Sequence, residues 1–198
     1  MKIISLSVIL FLIDQVSKLL VRGLSIPFFN LNVDGLLPGE SKPVIENLIN
    51  ITLVENPGIA FGIDPGESLK DLILVLTILT CIGFLLYLLL AKKADLKSRI
   101  AIALILGGAA GNLFDRIFYG IFYNYAPLFQ GNVVDFLDVR FLKFFIFNNI
   151  HSNYVFNFAD VSILSGVFLL IYIILNSKRQ KNLENLVPQV AEDGDQTK

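Results

Sequence analysis

Residues 72–91 read LILVLTILTCIGFLLYLLLA, twenty positions without a charge. At about 1.5 Å per residue, a helix over that run crosses a hydrocarbon core of about 30 Å. A helix that is apolar on every face belongs in lipid or deep inside a large protein, and this chain has only 198 residues. The composition agrees: 55% of residues are hydrophobic, 17% are charged, and the mean hydropathy is +0.69. The fold class expected is therefore a membrane protein, mainly α.

Working outward, three further segments have membrane length but carry polar groups. Residues 3–21 include Asp14 and Lys18, residues 99–118 include Asp115 and Arg116, and residues 155–176 include Asp160. With 72–91 they make four expected transmembrane helices and leave 1–177 as a single membrane-embedded domain. Residues 22–70 hold turn signals (Val33-Asp34-Gly35, Pro38-Gly39, Asn56-Pro57-Gly58, Asp64-Pro65-Gly66) around β-prone stretches such as Ile49 to Val54. They predict a small β-rich platform on the membrane. Residues 119–154 form an expected outer loop whose Phe and Tyr residues suit the headgroup zone. The segment 178–198 is polar without apolar periodicity and is expected to be a disordered tail.

Basic residues set the orientation. Lys92, Lys93, Lys97 and Arg99 lie between spans two and three, and Lys178, Arg179 and Lys181 follow span four. The positive-inside rule puts those segments and both termini in the cytoplasm, with 22–70 and 119–154 outside. The first span has the outline of a signal peptide, but Asp14 and Lys18 interrupt it and no small-x-small site follows, so it is expected to stay as an anchor. Cys81, the single cysteine, lies mid-span with no partner in its own chain and reads as packing.

An ionisable group within a membrane costs at least about 2.5 to 3.5 kcal/mol on insertion scales, so three spans carrying acids call for a reason. Counted from the inner ends of their helices, Asp115 lies about 24 Å up and Asp160 about 27 Å up, one level near the outer face. Asp14 comes out about 18 Å up. Asn112 and Asp115 are three apart, as are Asn157 and Asp160, so each amide shares a helix face with its carboxylate. Gly108 and Gly111 precede Asn112 and Asp115 by four and would let a second helix approach closely. Each feature has a plainer reading: Asp115-Arg116 as an interfacial pair, Asp160 as a helix-start acid, Asp14 and Lys18 as an i,i+4 ion pair. Together they point to a site.

Two neighbouring carboxylates in a low-dielectric setting share a proton, one acting as base and the other as acid. That equipment activates water against an amide. Other hydrolytic outfits are missing: there is no HExxH, no G-x-S-x-G, and the single histidine, His151, falls in the outer loop. Ser17 and Lys18, adjacent on a helix, diverge by about 100° and do not make a dyad. A proton- or cation-coupled carrier using the same acids is the alternative, although no internal repeat supports it and both candidate acids lie near one face. A structural subunit with polar stripes is a third reading.

Four separated blocks carry a resemblance to a known family. IDQVSK at 13–18, ENPGIAFG at 55–62, GGAAGNLFDRI at 107–117 with VVDF at 133–136, and FNFAD at 156–160 resemble, in order, the motifs of lipoprotein signal peptidase (signal peptidase II), an aspartic membrane protease family of bacteria. The resemblance implies removal of signal peptides from prolipoproteins before a diacylglyceryl-modified cysteine, at the outer face of the inner membrane, by two acids that activate water. By motif it makes Asp115 and Asp160 the expected catalytic pair. Asp14, Lys18, Asn56, Gly108, Asn112, Arg116 and Asn157 become expected support and substrate-binding positions. It implies no metal or other cofactor. The expected partners are the lipidated prolipoprotein and membrane lipid, with no nucleic acid, and the chain is expected to act as a monomer. The stretch between Asp115 and Asp160 is longer than the family pattern suggests, which bears on how substrates are selected.

Overall fold

The structure is a computed structural model that describes residues 2–26, 30–46, 48–58, 66–140 and 154–195. His151 and most of the ENPGIAFG block beyond Gly58 lie outside the described residues. Helix α1 spans Lys2–Arg22, strands β1 Leu24–Ile26 and β2 Leu31–Val33 follow, and then β3 Ser41–Ile45 and β4 Ile49–Asn56. Helices α2 (Glu67–Leu90) and α3 (Leu96–Phe114) come next. Helix α3 runs into a π-helical turn at Asp115–Tyr119 and a short helix α4 at Gly120–Phe122. Strand β5 (Val133–Val139) and helix α5 (Phe158–Asp195) complete the chain.

Four helices, at Lys2–Arg22, Leu69–Leu90, Leu96–Phe122 and Phe158–Gln180, have the length and apolar composition to cross a membrane. Their polarity is inverted relative to a soluble bundle. On α1, the buried residues are Ser7, Asp14, Gln15 and Lys18, whereas Val8, Ile9, Leu12, Val16 and Leu20 are exposed. An exposed apolar face of this extent suits lipid, and the polar stripe turns inward to find partners. Helix α3 is the central element, with more than half its span buried, and it packs on α1, α2 and α5. Small residues permit this. A Cβ on Gly107 would meet the Ser7 carbonyl oxygen, and a Cβ on Gly108 would collide with the carbonyl oxygen of Ala159. Ser7 Oγ donates to the Ala103 carbonyl at 2.9 Å, tying α1 to α3 one helical turn away from Gly107.

The outer platform differs from expectation in one strand. Strands β1 and β2 pair antiparallel as a small ribbon, and β3, β4 and β5 form an antiparallel sheet with β4 in the centre. Strand β5 comes from the segment expected to be an outer loop. Its register with β4 sets Val54 opposite Asp135 and Asn56 opposite Val133. Five of its seven residues are buried, so VVDFLDV lacks the alternation that announces a half-exposed strand. Leu36, Leu53, Tyr119, Val134 and Phe136 form the core that seats the sheet on the bundle end.

Two further boundaries shift. Span four begins at Phe158 rather than 155, because Phe156 bridges Leu137 at the edge of β5 and Asn157 caps the helix. The tail expected to be disordered from Lys178 instead continues α5 to Asp195. Its lysines, glutamines, glutamates and leucines are good helix formers, while Pro188 removes one ladder bond within its last turns.

Candidate active site

The chemistry collects where α1, α3, β5 and the start of α5 meet. Lys18 is wholly buried and its ammonium has three acceptors: Asp115 Oδ2 at 2.7 Å, Asp14 Oδ2 at 2.8 Å and Asn112 Oδ1 at 2.9 Å. Three donor hydrogens meet three acceptors, the condition under which a cation tolerates burial. Gln15 Nε2 bridges the same cluster, donating to Asp115 Oδ1 at 2.9 Å, to the Gly111 carbonyl at 3.1 Å and to Asp14 Oδ2 at 3.2 Å. Tyr119 donates its hydroxyl to Gln15 Oε1 at 3.2 Å. Neither Gln15 nor Tyr119 stands out as functional in the sequence. The signal that IDQ carries is an amide beside an aspartate at adjacent positions of an apolar helix.

Asp160 occupies a different place. Asn157 Oδ1 accepts from the Asp160 backbone N at 2.9 Å, while Asp160 Oδ2 accepts from the Asn157 backbone N at 3.2 Å. This reciprocal pair is a capping box, and it explains the Asn-x-x-Asp spacing of FNFAD. Another amide of the first turn, Ala159 N, donates to Asp14 Oδ1 at 2.9 Å, so Asp14 locks α5 to α1. The other Asp160 oxygen accepts from Asn112 Nδ2 at 2.9 Å.

The structure does not set Asp115 against Asp160, the pair expected from depth and motif. Asp115 is fully buried, and its oxygens are taken by Lys18, by Gln15 and by the Val134 backbone N at 3.2 Å. Lys18 and Asn112 stand between the two acids. The carboxylate that shares a partner with Asp160 is Asp135 of the VVDF block. Asn157 Nδ2 donates to Asp135 Oδ1 at 2.7 Å, and Asn56 Nδ2 donates to Asp135 Oδ2 at 3.1 Å. Burial, with the nearby Asp160 charge adding to it, pushes the Asp135 carboxyl up to about 7. Burial is the larger cause, so Asp135 keeps its proton toward neutral pH while Asp160 stands close enough to add to the effect.

The remaining expected residues fall around this pair. Asn112 and Asn157 are bonded to each other at 3.1 Å and hold the two acids apart from Lys18. Asn56 fixes Asp135 from the end of β4 and accepts from the Gly58 backbone N at 3.1 Å. Arg116 donates to the Asn112 carbonyl at 3.3 Å and to the Gly58 carbonyl at 3.1 Å, and it lines a cavity where the start of α2 meets the turn after α3. Arg116 lies in the π-helical turn Asp115–Tyr119, directly after Asp115. The bare Cα of Gly108 lets α3 lie against Ala159 and Ile163 at the start of α5. Among the described residues no group of three or more His, Cys, Asp or Glu side chains is arranged to hold a metal ion.

Two carboxylates held by the same asparagine, Asp135 through the Asn157 side chain and Asp160 through the Asn157 backbone N, at the mouth of a polar-cored membrane bundle fit a membrane-embedded hydrolase of the aspartic-protease type. The comparisons with known proteins agree. The family described as signal peptidase (SPase) II matches residues 6–176. A lipoprotein signal peptidase of Desulfitobacterium hafniense is 33% identical over 177 residues, covering 89% of this chain and 95% of the relative. The lipoprotein signal peptidase of Fusobacterium nucleatum is 37% identical over 181 residues, covering 89% of each. A bacterial membrane enzyme solved by the in meso method at 2.3 Å resolution aligns with a TM-score of 0.65 and 29% identity over 91% of both chains. The chain belongs to the signal peptidase II family. That membership supports hydrolysis and not the carrier alternative.

Proposed function

We propose that this protein is the membrane protease that removes signal peptides from bacterial prolipoproteins, cutting before a diacylglyceryl-modified cysteine, with Asp135 and Asp160 as the pair that activates water. The observation that carries the pairing is the shared Asn157, which holds both acids while Asp115 is committed to Lys18. In the starting state the two carboxyls hold one proton between them. The ionised member takes a proton from water as the oxygen attacks the scissile carbonyl, and the protonated member supplies its proton to the carbonyl oxygen. Collapse of the tetrahedral species passes a proton to the departing nitrogen and restores the shared state. Water is consumed, one amide bond breaks, and the pair ends as it began.

Asp115, Asp14 and Lys18 are positioning residues in this reading. Their ion-pair cluster fixes α1 against α3 and the start of α5, and so fixes the height of Asp160. Arg116 is suited to binding a carbonyl of the substrate backbone, since its guanidinium already donates to carbonyls on both sides of it. The site lies at the outer face of the inner membrane with both termini in the cytoplasm. Residues 1–177 act as one protease domain, and the protein works as a monomer in contact with membrane lipid. The basic residues of the 92–99 link support that orientation.

The test is cleavage of a diacylglyceryl-modified prolipoprotein by purified protein in detergent or vesicles, beside Asp135→Asn, Asp160→Asn and an unlipidated substrate. Cutting before the lipidated cysteine that is lost in both variants, each still folded, is the expected outcome. Full activity in Asp135→Asn would remove that residue from the pair, and no cleavage by the unaltered protein would overturn the assignment.

A further inference from the structure

We propose that Phe129 and Gln130 are specificity-determining residues that grip the glyceryl diester of the substrate's lipidated cysteine, an inference that rests on the function proposed above. They sit on the stretch that makes the distance between the motif blocks longer than the family pattern. The chain leaves the π-helical turn, passes through α4, and comes back so that the Phe129 N donates to the Ile117 carbonyl at 3.1 Å. Two residues on, the Gly131 N donates to the Arg116 carbonyl at 2.9 Å. A Cβ on Gly131 would collide with the Asp115 carbonyl oxygen, so the stretch lies directly on the turn that carries the site.

These bonds hold Phe129 at φ +70°, a left-handed conformation that a bulky residue avoids unless its surroundings enforce it. Phe129 and Gln130 line a cavity together with Gly58, Lys70, Asp71 and Arg116. Phe129 is about half exposed, so its ring is presented rather than packed away.

The cavity does not end there. It shares Ile73 and Arg116 with a second, largely apolar space of about 380 Å³ that descends between α2, α3 and α5 along Leu76, Ile105 and Ile163. A ligand filling both has a polar head at the outer membrane surface and apolar chains below it. The head zone offers donors from Arg116 and Gln130, Asp71 beside Lys70 offsets its charge, and the Asp135 and Asp160 carboxyls near Arg116 offset the guanidinium. That balance suits a neutral acceptor such as an ester carbonyl better than a phosphate. The flat ring of Phe129 covers the glycerol carbons and the first methylenes, and the Gln130 amide donates to an ester carbonyl.

The experiment uses full-length protein and two lipopeptides that begin with the modified cysteine, one with ester-linked and one with ether-linked chains. Each competes against cleavage of the diacylglyceryl prolipoprotein. The ether analogue keeps the apolar bulk and lacks the carbonyl acceptors. In Gln130→Ala the inhibition constant of the ester compound rises about threefold to tenfold, the loss expected for one hydrogen bond, while that of the ether compound is unchanged. In Phe129→Gly, which suits the left-handed backbone and so preserves the loop, both constants rise together. Equal shifts for the two compounds in Gln130→Ala, or none in either variant, would overturn the proposal. Failure of the unaltered protein to cut the prolipoprotein would instead overturn the function on which it rests.

Discussion

Replacing Asp115 by Asn separates a structural aspartate from a catalytic one. Asp115 accepts from Lys18 Nζ, Gln15 Nε2 and the Val134 N, all in a wholly buried setting. An asparagine offers one acceptor oxygen where the carboxylate offers two, so its NH2 group must face a buried donor. Turning Gln15 to compensate would strip the Gly111 carbonyl and Asp14 of their own bond. One unsatisfied buried donor costs about 1 to 3 kcal/mol, and loss of a charge-assisted bond from Lys18 brings the sum to about 2 to 5 kcal/mol. Lys18 keeps Asp14, so the cluster weakens without leaving a cation unpaired. The expected outcome is a melting temperature lower by on the order of 10 °C in detergent, with kcat of the folded fraction within about tenfold of the unaltered protein. Asp135→Asn should do the reverse, melting no lower than the unaltered protein at neutral pH and losing about a hundredfold or more in kcat, as for removal of a general acid or base. An Asp115→Asn protein that melts like the original yet cuts nothing would refute this division and return Asp115 to the reacting pair.

Three other predictions use different parts of the fold. Asp135 holds its proton in the folded state up to about pH 7, whereas the unfolded carboxyl releases it near 3.8. Its contribution to stability is therefore full below about pH 4 and is lost as the pH rises through about 7, a change on the order of 4 kcal/mol. Denaturation followed across that range should show the slope in the unaltered protein and a flatter one in Asp135→Asn, and kcat should fall above about pH 7 as the shared proton leaves. Gly108→Val should push α3 away from the Ala159 carbonyl, costing about 1 to 3 kcal/mol and lowering kcat by displacing Asp160, which a melting curve and a cleavage assay would detect together. Arg22→Ala removes the guanidinium that pairs with Glu55 and stacks 3.8 Å over Tyr123, and should lower stability by about 1 to 2 kcal/mol in a denaturation series while kcat is retained.

The sequence by itself determined the membrane class, the four spans to within a few residues, and the polar groups that each span carries. Those features are local: an uncharged run of twenty residues or an Asn three positions before an Asp has the same meaning wherever the chain goes. The pairing of the acids was not local. Depth counted along separate helices put Asp115 and Asp160 on one level, but height says nothing about which way a side chain faces. Lys18 reaches across from α1 to neutralise Asp115, and β5 returns from further along the chain to set Asp135 beside Asn157. The π-helical turn and the buried strand, with its alternation hidden, were equally out of reach of a pattern. Gathering four carboxylates near one lysine forces a division of labour between the two that pair with it and the two that do not, and only the packing of α1, α3, α5 and the sheet decides which is which.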